Sequence, residues 1–576
     1  MVFTTIKIML KNLNIMCFKY QFLVIFSFLI CAQHVSSQIK GHNGMVVSDH
    51  HLASKVGVAI LEKGGNAMDA SIATAFALAV THPQAGNIGG GGFLVFRNSE
   101  NKVTTIDFRE KAPLAASPTM FLNEDGSLNK GSNHKGLKSV GVPGTVAGLY
   151  LAHQKYGSLD WASLVQPAID LAADGFPISQ ALYDWGQLIA TWSEEKQLAK
   201  GMFKNEQGAL LQIGELWKQK ALANTLMHIR DKGAKGFYEG PVSEKFVTYM
   251  KANGGIITKE DLHTYKAIER APLKGSYKGY DLYTMPPPSS GGVALIEMMN
   301  MLELADFKTK DPKDIRNIHL LAETMRRAFA DRAQHLGDPD FNNDMPLEKL
   351  LSKSFAKQRF EYLDLEKASL SDASKFGQLY DGKNTTHLSV IDKNKNAVSM
   401  TYTLEHSFGS GMGSRELGFL LNNEMGDFNP KIGLTDSIGH VGTLANSIAP
   451  EKRMLSSMSP TIVLKDNMPY LVIGSPGGRT IINTVFQAVL NVLEHGMEVD
   501  EAIEAFKIHH QWLPDQIYYE EGDLPKSTLD SLQDMGHRLK ARKYLGRLMG
   551  IRYDSTNHVF IGASDSSSPD GAAVSF

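Results

Sequence analysis

The chain has 576 residues, 43% of them hydrophobic and 21% charged, with 59 Lys+Arg against 61 Asp+Glu for a formal net charge of −2. This is globular composition with ample material for a core, and its even charge argues against nucleic-acid binding, which calls for a basic excess. Two cysteines cannot make a disulfide framework or a thiolate metal cluster.

Residues 1–37 carry Lys7, Lys11 and Lys19 and no acidic residue, then an apolar run from Phe22 to Ile30, then Val35-Ser36-Ser37. That is the layout of a secretory signal, with cleavage expected after Ser37 and a secreted or periplasmic product. A lipoprotein anchor at Cys31 is disfavoured because Ile30 stands where a small residue is expected. Removing the leader takes 576 residues to 539, the charge from −2 to −5, and both Cys17 and Cys31 away. The mature chain is then without thiol chemistry, and no later segment is apolar enough to span a membrane.

From Gln38 to about Asp381 the pattern is mixed α/β. Val56–Glu62 and Ala67–Ala79 have helical apolar spacing, broken at Gly64-Gly65-Asn66. Pro286–Gly292 reads as a stiff turn followed by a flexible one, together a packed loop. Asn317–Arg332 places Ile318, Leu321, Met325 and Phe329 on one helical face. Lys367–Asn384 is polar and aperiodic, an exposed linker open to cutting. At Thr385 the character changes. Residues 386–391 and 397–404 alternate around the turn Asp392–Asn396, which predicts a β-hairpin with Leu388, Val390, Val398, Met400 and Tyr402 in the core. A turn centred on Asn394 puts Thr385 opposite Thr403.

Short motifs are mostly uninformative. Gly89–Gly92 is not followed by Lys-Ser/Thr, so it is no phosphate loop. Ser354-Phe355-Ala356-Lys357 lacks companion motifs. His50-His51 and His509-His510 put neighbours on different faces, a poor metal arrangement. Gly474–Gly478 after the strand-like Tyr470–Ile473 fits either an oxyanion hole or a tight strand-to-helix turn. Ser456–Pro460 fits either a turn or a set of functional hydroxyls before the strand Thr461–Leu464.

Taken in order, Gly64–Ala67, Thr81-His82-Pro83, Gly86–Gly92, Asp107–Glu110, Val142–Gly148, Met285–Gly292, Thr385-Thr386-His387, Asn422–Met425, Leu455–Pro460 and Gly474–Gly478 resemble the γ-glutamyltransferase (γ-glutamyltranspeptidase, glutathione hydrolase) family. The resemblance implies an α/β fold, the four-layer αββα sandwich of N-terminal-nucleophile hydrolases. It implies self-cleavage before Thr385 into a large chain 38–384 and a small chain 385–576 that stay together as a heterodimer. By the same resemblance Thr385 is the nucleophile, Thr403 supports it, and the N–H groups of Gly477 and Gly478 hold the oxyanion. Arg109, Ser456 and Ser457 bind the donor's α-carboxylate, and Glu424 and Asp427 its α-ammonium, so a cation at one end faces two carboxylates at the other. Glu405 stands where many members have Asn and is expected to bind the ammonium too. Ile438 replaces a Tyr found in several relatives within the loop Asn429–Leu444.

The implied substrates are a small γ-glutamyl donor such as glutathione, with water, an amino acid or a peptide as acceptor. No cofactor, metal or nucleic-acid partner is implied, and no membrane contact apart from the leader. A glutaryl or cephalosporin-type acylase of the same fold, and an uncleaved γ-glutamyl-binding homologue, are the alternatives. The first is disfavoured because a glutaryl group lacks the ammonium that Glu424 and Asp427 would serve. The second is disfavoured because Thr385, Thr403, Gly477 and Gly478 are all present.

Overall fold

A computed structural model describes residues 38–372, 385–434 and 442–576. The proposed leader, the scission segment 373–384 and Ile438 lie outside the described residues. Residues Gln38–Phe576 form one unit built on two seven-stranded sheets, antiparallel at every pairing. In the first sheet the strands run in the order Ala572–Ser575, Gly44–Ser48, Thr385–Asp392, Ala397–Thr403, Gly91–Arg97, Val103–Phe108 and Ile268–Arg270. In the second the order is Ile39–Gly41, Val559–Ser564, Met549–Asp554, Met468–Gly474, Thr461–Lys465, Tyr280–Thr284 and Leu273–Tyr277.

Between the sheets Met45, Val47, Val95 and Ile391 meet Ile462, Val472, Ile551 and Phe560. Helices His51–Glu62, Ala67–Thr81 and Thr145–Tyr156 cover the first sheet, and Gly291–Leu302, Thr480–Leu490 and Val499–Glu504 the second. The result is the αββα sandwich expected from the sequence.

Local chemistry explains the element ends. The break between the first two helices is set by Asn66, whose side chain accepts from the N–H groups of Met68 (2.9 Å) and Asp69 (3.0 Å) while Asp69 accepts from Asn66 N–H (2.9 Å). The hairpin turn is closed by Asp392. Its carboxylate accepts from the backbone of Asn394 (2.8 Å) and Asn396 (3.0 Å), and from Ala67 N–H (2.9 Å) at the start of the second helix. One side chain thus fixes the turn and joins it to the outer layer. The register follows: Thr385 pairs with Thr403, Leu388 with Met400 and Val390 with Val398. The five core positions read from the alternation all enter the cluster under the helices.

Two expectations change. The second half of Pro286–Gly292 is not a flexible turn, because Gly291 and Gly292 begin the helix Gly291–Leu302. A Cβ on Gly291 would lie 2.0 Å from Ser459 Oγ, and one on Gly292 2.3 Å from the Met285 carbonyl, so packing selects glycine there. The first part of the supposed linker is also tied down. Ser369 N–H donates to Glu323 (3.0 Å), Ser371 N–H to Asp515 (3.0 Å) and Ala368 N–H to the Met535 carbonyl (2.7 Å).

Glu297, on the helix Gly291–Leu302, is fully buried against Asp331 of the helix Ile315–His335. Burial first, then the Asp331 charge, pushes the Glu297 carboxyl well above the usual range. A raised carboxyl binds more protons folded than unfolded, so its contribution to stability falls as pH rises above about 4.3. Glu297→Gln is expected to stabilise the protein at neutral pH by about 1–2 kcal/mol and to flatten this slope. Denaturant unfolding at pH 5 and pH 8 measures both effects.

Candidate active site

In the hairpin the odd-numbered side chains face the second sheet. Ser389 Oγ donates to the Val472 and Met549 carbonyls (3.3 and 3.2 Å), and Ser399 Oγ to that of Ile473 (3.0 Å). His387, between Thr401 Oγ1 (2.8 Å) and Ser389 Oγ (3.0 Å), is pushed down to about 3 by burial and is neutral. At the end of this polar stripe stand Thr385 and Thr403. Thr385 Oγ1 donates to Thr403 Oγ1 at 3.3 Å, and Thr403 Oγ1 accepts from Glu405 N–H at 2.8 Å.

The glycine run that resembled a phosphate loop belongs to this pair. Asn87 Nδ2 donates to the Thr403 carbonyl (2.9 Å) while Asn87 Oδ1 accepts from Gly90 N–H (2.9 Å). A Cβ on Gly90 would sit 2.0 Å from the same carbonyl, and one on Gly89 2.1 Å from the Leu420 carbonyl. The glycines let backbone approach backbone.

One cleft collects Thr385, Thr403, Arg109, Glu405, Glu424, Asp427, Ser456, Ser457 and Gly478. Gly477 is the one sequence-predicted site residue that does not line it. Gly477 and Gly478 turn the chain from the strand Met468–Gly474 into the helix Thr480–Leu490, with φ of +139° and +62°, values that select glycine. The tight turn is therefore present, with Gly478 exposed to the cleft. Ser456 and Ser457 are set by a second loop: Ser456 N–H donates to the Pro288 carbonyl (2.9 Å), and Ser290 N–H to that of Ser456 (2.8 Å).

The charges are arranged differently from the sequence expectation. Arg109 does not stand apart from the carboxylates; it pairs with Glu424 (2.7 Å), Asp427 (2.5 Å) and Glu110 (3.3 Å). Buried ions must compensate one another. One guanidinium cannot neutralise three carboxylates. Burial raises Glu110 to about 7 and Glu424 well above the usual range, and the three acids lift Arg109 despite its burial. Glu405 is buried as well. It is 4% exposed, has φ of +76°, and pairs with His134 Nδ1 at 2.8 Å.

Several residues in and around the cleft escaped the sequence reading. Arg332 donates from Nε to Ser290 Oγ (2.6 Å) and from Nη2 to Ser457 Oγ (3.0 Å), and burial with Arg479 nearby brings it down to about 9. A signal existed: Arg332 continues the apolar stripe of Ile318, Leu321, Met325 and Phe329, where a cation has no bland explanation. Asn422 accepts from Gly141 and Glu424 N–H (2.8 and 3.1 Å), which ties the acidic segment to the loop at Gly141. His134, Glu405 and His406 bring three ligand-type atoms within 4.8 Å of one another. The paired histidines of the sequence do separate work: His50 caps a helix, His509 meets Asn483 (2.7 Å) and His510 meets Asp515 (3.2 Å).

Residues 53–575 match the family model described as gamma-glutamyltranspeptidase. The chain belongs to this family. It is 43% identical to a glutathione hydrolase proenzyme of Escherichia coli over 94% of both chains, and 39% identical to one of Bacillus subtilis over 92% of this chain and 91% of that one. It is 34% identical to the Acylase ACY 1 proenzyme of a Pseudomonas strain, covering 89% and 90%. Among solved structures, a cephalosporin acylase from Bacillus halodurans superposes with a TM-score of 0.82 at 25% identity, covering 94% of this chain and 97% of that one. A γ-glutamyltranspeptidase from Helicobacter pylori gives 0.53 at 44% identity, covering 56% of this chain and 91% of that one. The fold and the family thus agree with the order of motifs, and the chain is an enzyme of this family.

In this family member the Thr403 carbonyl depends on Gly90. Gly90→Ala is expected to cost about 1–3 kcal/mol of stability through overpacking and to lower activity more than Gly201→Ala, where nothing lies within 4 Å of the added carbon. Melting curves with product assays on both variants check this.

Proposed function

We propose that the protein is a self-cleaving γ-glutamyltransferase and glutathione hydrolase, with Thr385 as nucleophile. The observation that carries this is the Thr385–Thr403 hydroxyl pair (3.3 Å) in a cleft that also holds three arginines and three carboxylates. In the uncut chain the Thr385 nitrogen is an amide and cannot act as a base. Attack of Oγ1 on the carbonyl of residue 384 forms an ester and frees the amine; water then hydrolyses the ester. The large chain would end at 384 and the small chain begin at Thr385. The first sheet supports lasting association, because strand Thr385–Asp392 pairs with Gly44–Ser48 from the other side of the cut.

With donor bound, the freed amine accepts the proton as Oγ1 attacks the γ-carbonyl. Thr403, its oxygen held by Glu405 N–H, supports the threonine. The N–H groups at Gly477 and Gly478 would receive the oxyanion. The proton passes to the leaving amine, and water or an acceptor amine releases the γ-glutamyl group from the ester. Arg109 with Ser456 and Ser457 would take the α-carboxylate, and Glu405, Glu424 and Asp427 the α-ammonium. Each ligand charge would replace a protein charge in the existing pairs around Arg109 and Glu405. The leader supports secretion to the periplasm or beyond, and no described helix is long and apolar enough to cross a membrane.

The acylase relatives make an acylase the second reading; the cleft carboxylates Glu405, Glu424 and Asp427 speak against it, since a glutaryl side chain brings no cation. A γ-glutamyl amide should therefore be cleaved at least about tenfold faster than the matching glutaryl amide, the scale of one lost charge-assisted hydrogen bond. Equal rates would favour the acylase.

Thr385→Ala is expected to remain one chain on a denaturing gel and to release no γ-glutamyl product, whereas the wild type shows two chains and turns over. An acylation rate that rises with pH through about 7.7–8.0, the ordinary range of an α-amine, would mark the amine as the base. Arg109→Lys should raise KM more than it lowers kcat, because an ammonium cannot reproduce the guanidinium fork; unchanged kinetics would remove Arg109 from donor binding.

A further inference from the structure

Glu405 differs from the other acids of the cleft in how its charge is kept. Glu110 and Glu424 share Arg109 with Asp427 and are driven toward protonation. Glu405 has its own partner in His134, whose Nδ1 lies 2.8 Å from Oε1, and His406 Nε2 lies 3.7 Å from the same oxygen. The two imidazoles stack with centroids 5.0 Å apart at 15°. This packing requires Gly426, since a Cβ there would come 2.1 Å from His134 Nδ1.

The three side chains are spaced closely enough to suggest a metal site. The hydrogen bonds around His406 point elsewhere. Asn423 Oδ1 accepts from His406 N–H (3.2 Å), and Asn423 Nδ2 donates to the His134 carbonyl (3.3 Å), which fixes the amide's orientation. Nδ2 then faces His406 Nδ1 at 2.9 Å, so Nδ1 accepts and the ring proton sits on Nε2, toward Glu405. A metal ligand would need a lone pair on that nitrogen.

We propose that His134 is a positioning residue for donor recognition: it keeps Glu405 ionised and aimed into the cleft, making Glu405 the dedicated anion for the donor's α-ammonium. This rests on the γ-glutamyl reading above and names the residue that sets the charge at its amino end. The backbone geometry supports it, because Glu405 N–H already holds Thr403 Oγ1 (2.8 Å) and the residue has φ of +76°. The side chain that recognises the ammonium and the N–H that orients the threonine pair belong to one residue. Without His134, a carboxyl this buried would take up a proton and stop attracting the ammonium.

The test is a double-mutant cycle of His134→Leu and Glu405→Gln, read as KM and kcat for a γ-glutamyl anilide. His134→Leu should raise KM about tenfold, the scale of one charge-assisted hydrogen bond, with kcat within about twofold. In the Glu405→Gln background it should change KM less than about twofold, because a neutral amide needs no counter-charge. Equal KM losses in both backgrounds would mean that His134 only packs, and would overturn the proposal. Should His134→Leu fail to fold, His134→Gln, which keeps an N–H donor for Glu405, replaces it; a KM loss as large in Glu405→Gln as alone overturns the proposal again. A wild-type KM that changes on dialysis against a chelator would overturn it in favour of a metal site. L-glutamate affinity, measured by calorimetry on the same four proteins, reads the cycle without turnover. Absence of γ-glutamyl release by the wild type would thus count against the activity alone.

Discussion

Thr385 and Thr403 face each other across two antiparallel strands, and the site is built outward from that pair. Its geometry is a matter of register. A slip of one residue would turn both hydroxyls into the helix layer and carry Leu388 and Val390 toward the other sheet. Asp392 prevents this by closing the turn while accepting from the first N–H of the neighbouring helix. Flanking strands Gly44–Ser48 and Gly91–Arg97 then hold the hairpin from both sides. The glycines before Gly91–Arg97 bring that segment close enough for Asn87 to grip the Thr403 carbonyl. A hydroxyl pair becomes a fixed reference only because it lies at the end of a strand pair that cannot slide.

The second constraint is charge compensation among buried groups of the cleft. Arg109 answers Glu110, Glu424 and Asp427, and His134 answers Glu405. A zwitterionic ligand suits such a site, since its two charges exchange with pairs already present and leave no ion stranded. An apolar or singly charged ligand would break a pair without replacing it. In the proposed chemistry this is where selectivity for a free amino-acid head arises, apart from the threonine that does the bond-making.

Much of the fold and the cleft could be read from residues alone, and the limits are physical. The hairpin register was legible because alternation and a polar turn act locally, and five predicted core residues pack together as expected. Motif order brought nine predicted residues to one cleft. Arg332, His134 and Glu110 were missed because each acts through a partner distant in the chain: Arg332 through Ser457, His134 through Glu405, Glu110 through the set around Arg109. The expectation of opposed charges failed for the same reason, since periodicity says nothing about how buried ions pair. Gly291-Gly292 looked flexible, and only the neighbouring Ser459 and Met285 show why glycine begins a helix there.

The central claim is that Thr385, freed as an N-terminus, carries the γ-glutamyl group on its hydroxyl. Acid-quenching the enzyme during turnover of a γ-glutamyl donor and mapping its peptides by mass spectrometry tests this directly. One added γ-glutamyl group is expected on a peptide whose first residue is Thr385, removed by mild base as an ester is. A small chain beginning at another residue, or a γ-glutamyl group on any other side chain, would contradict it.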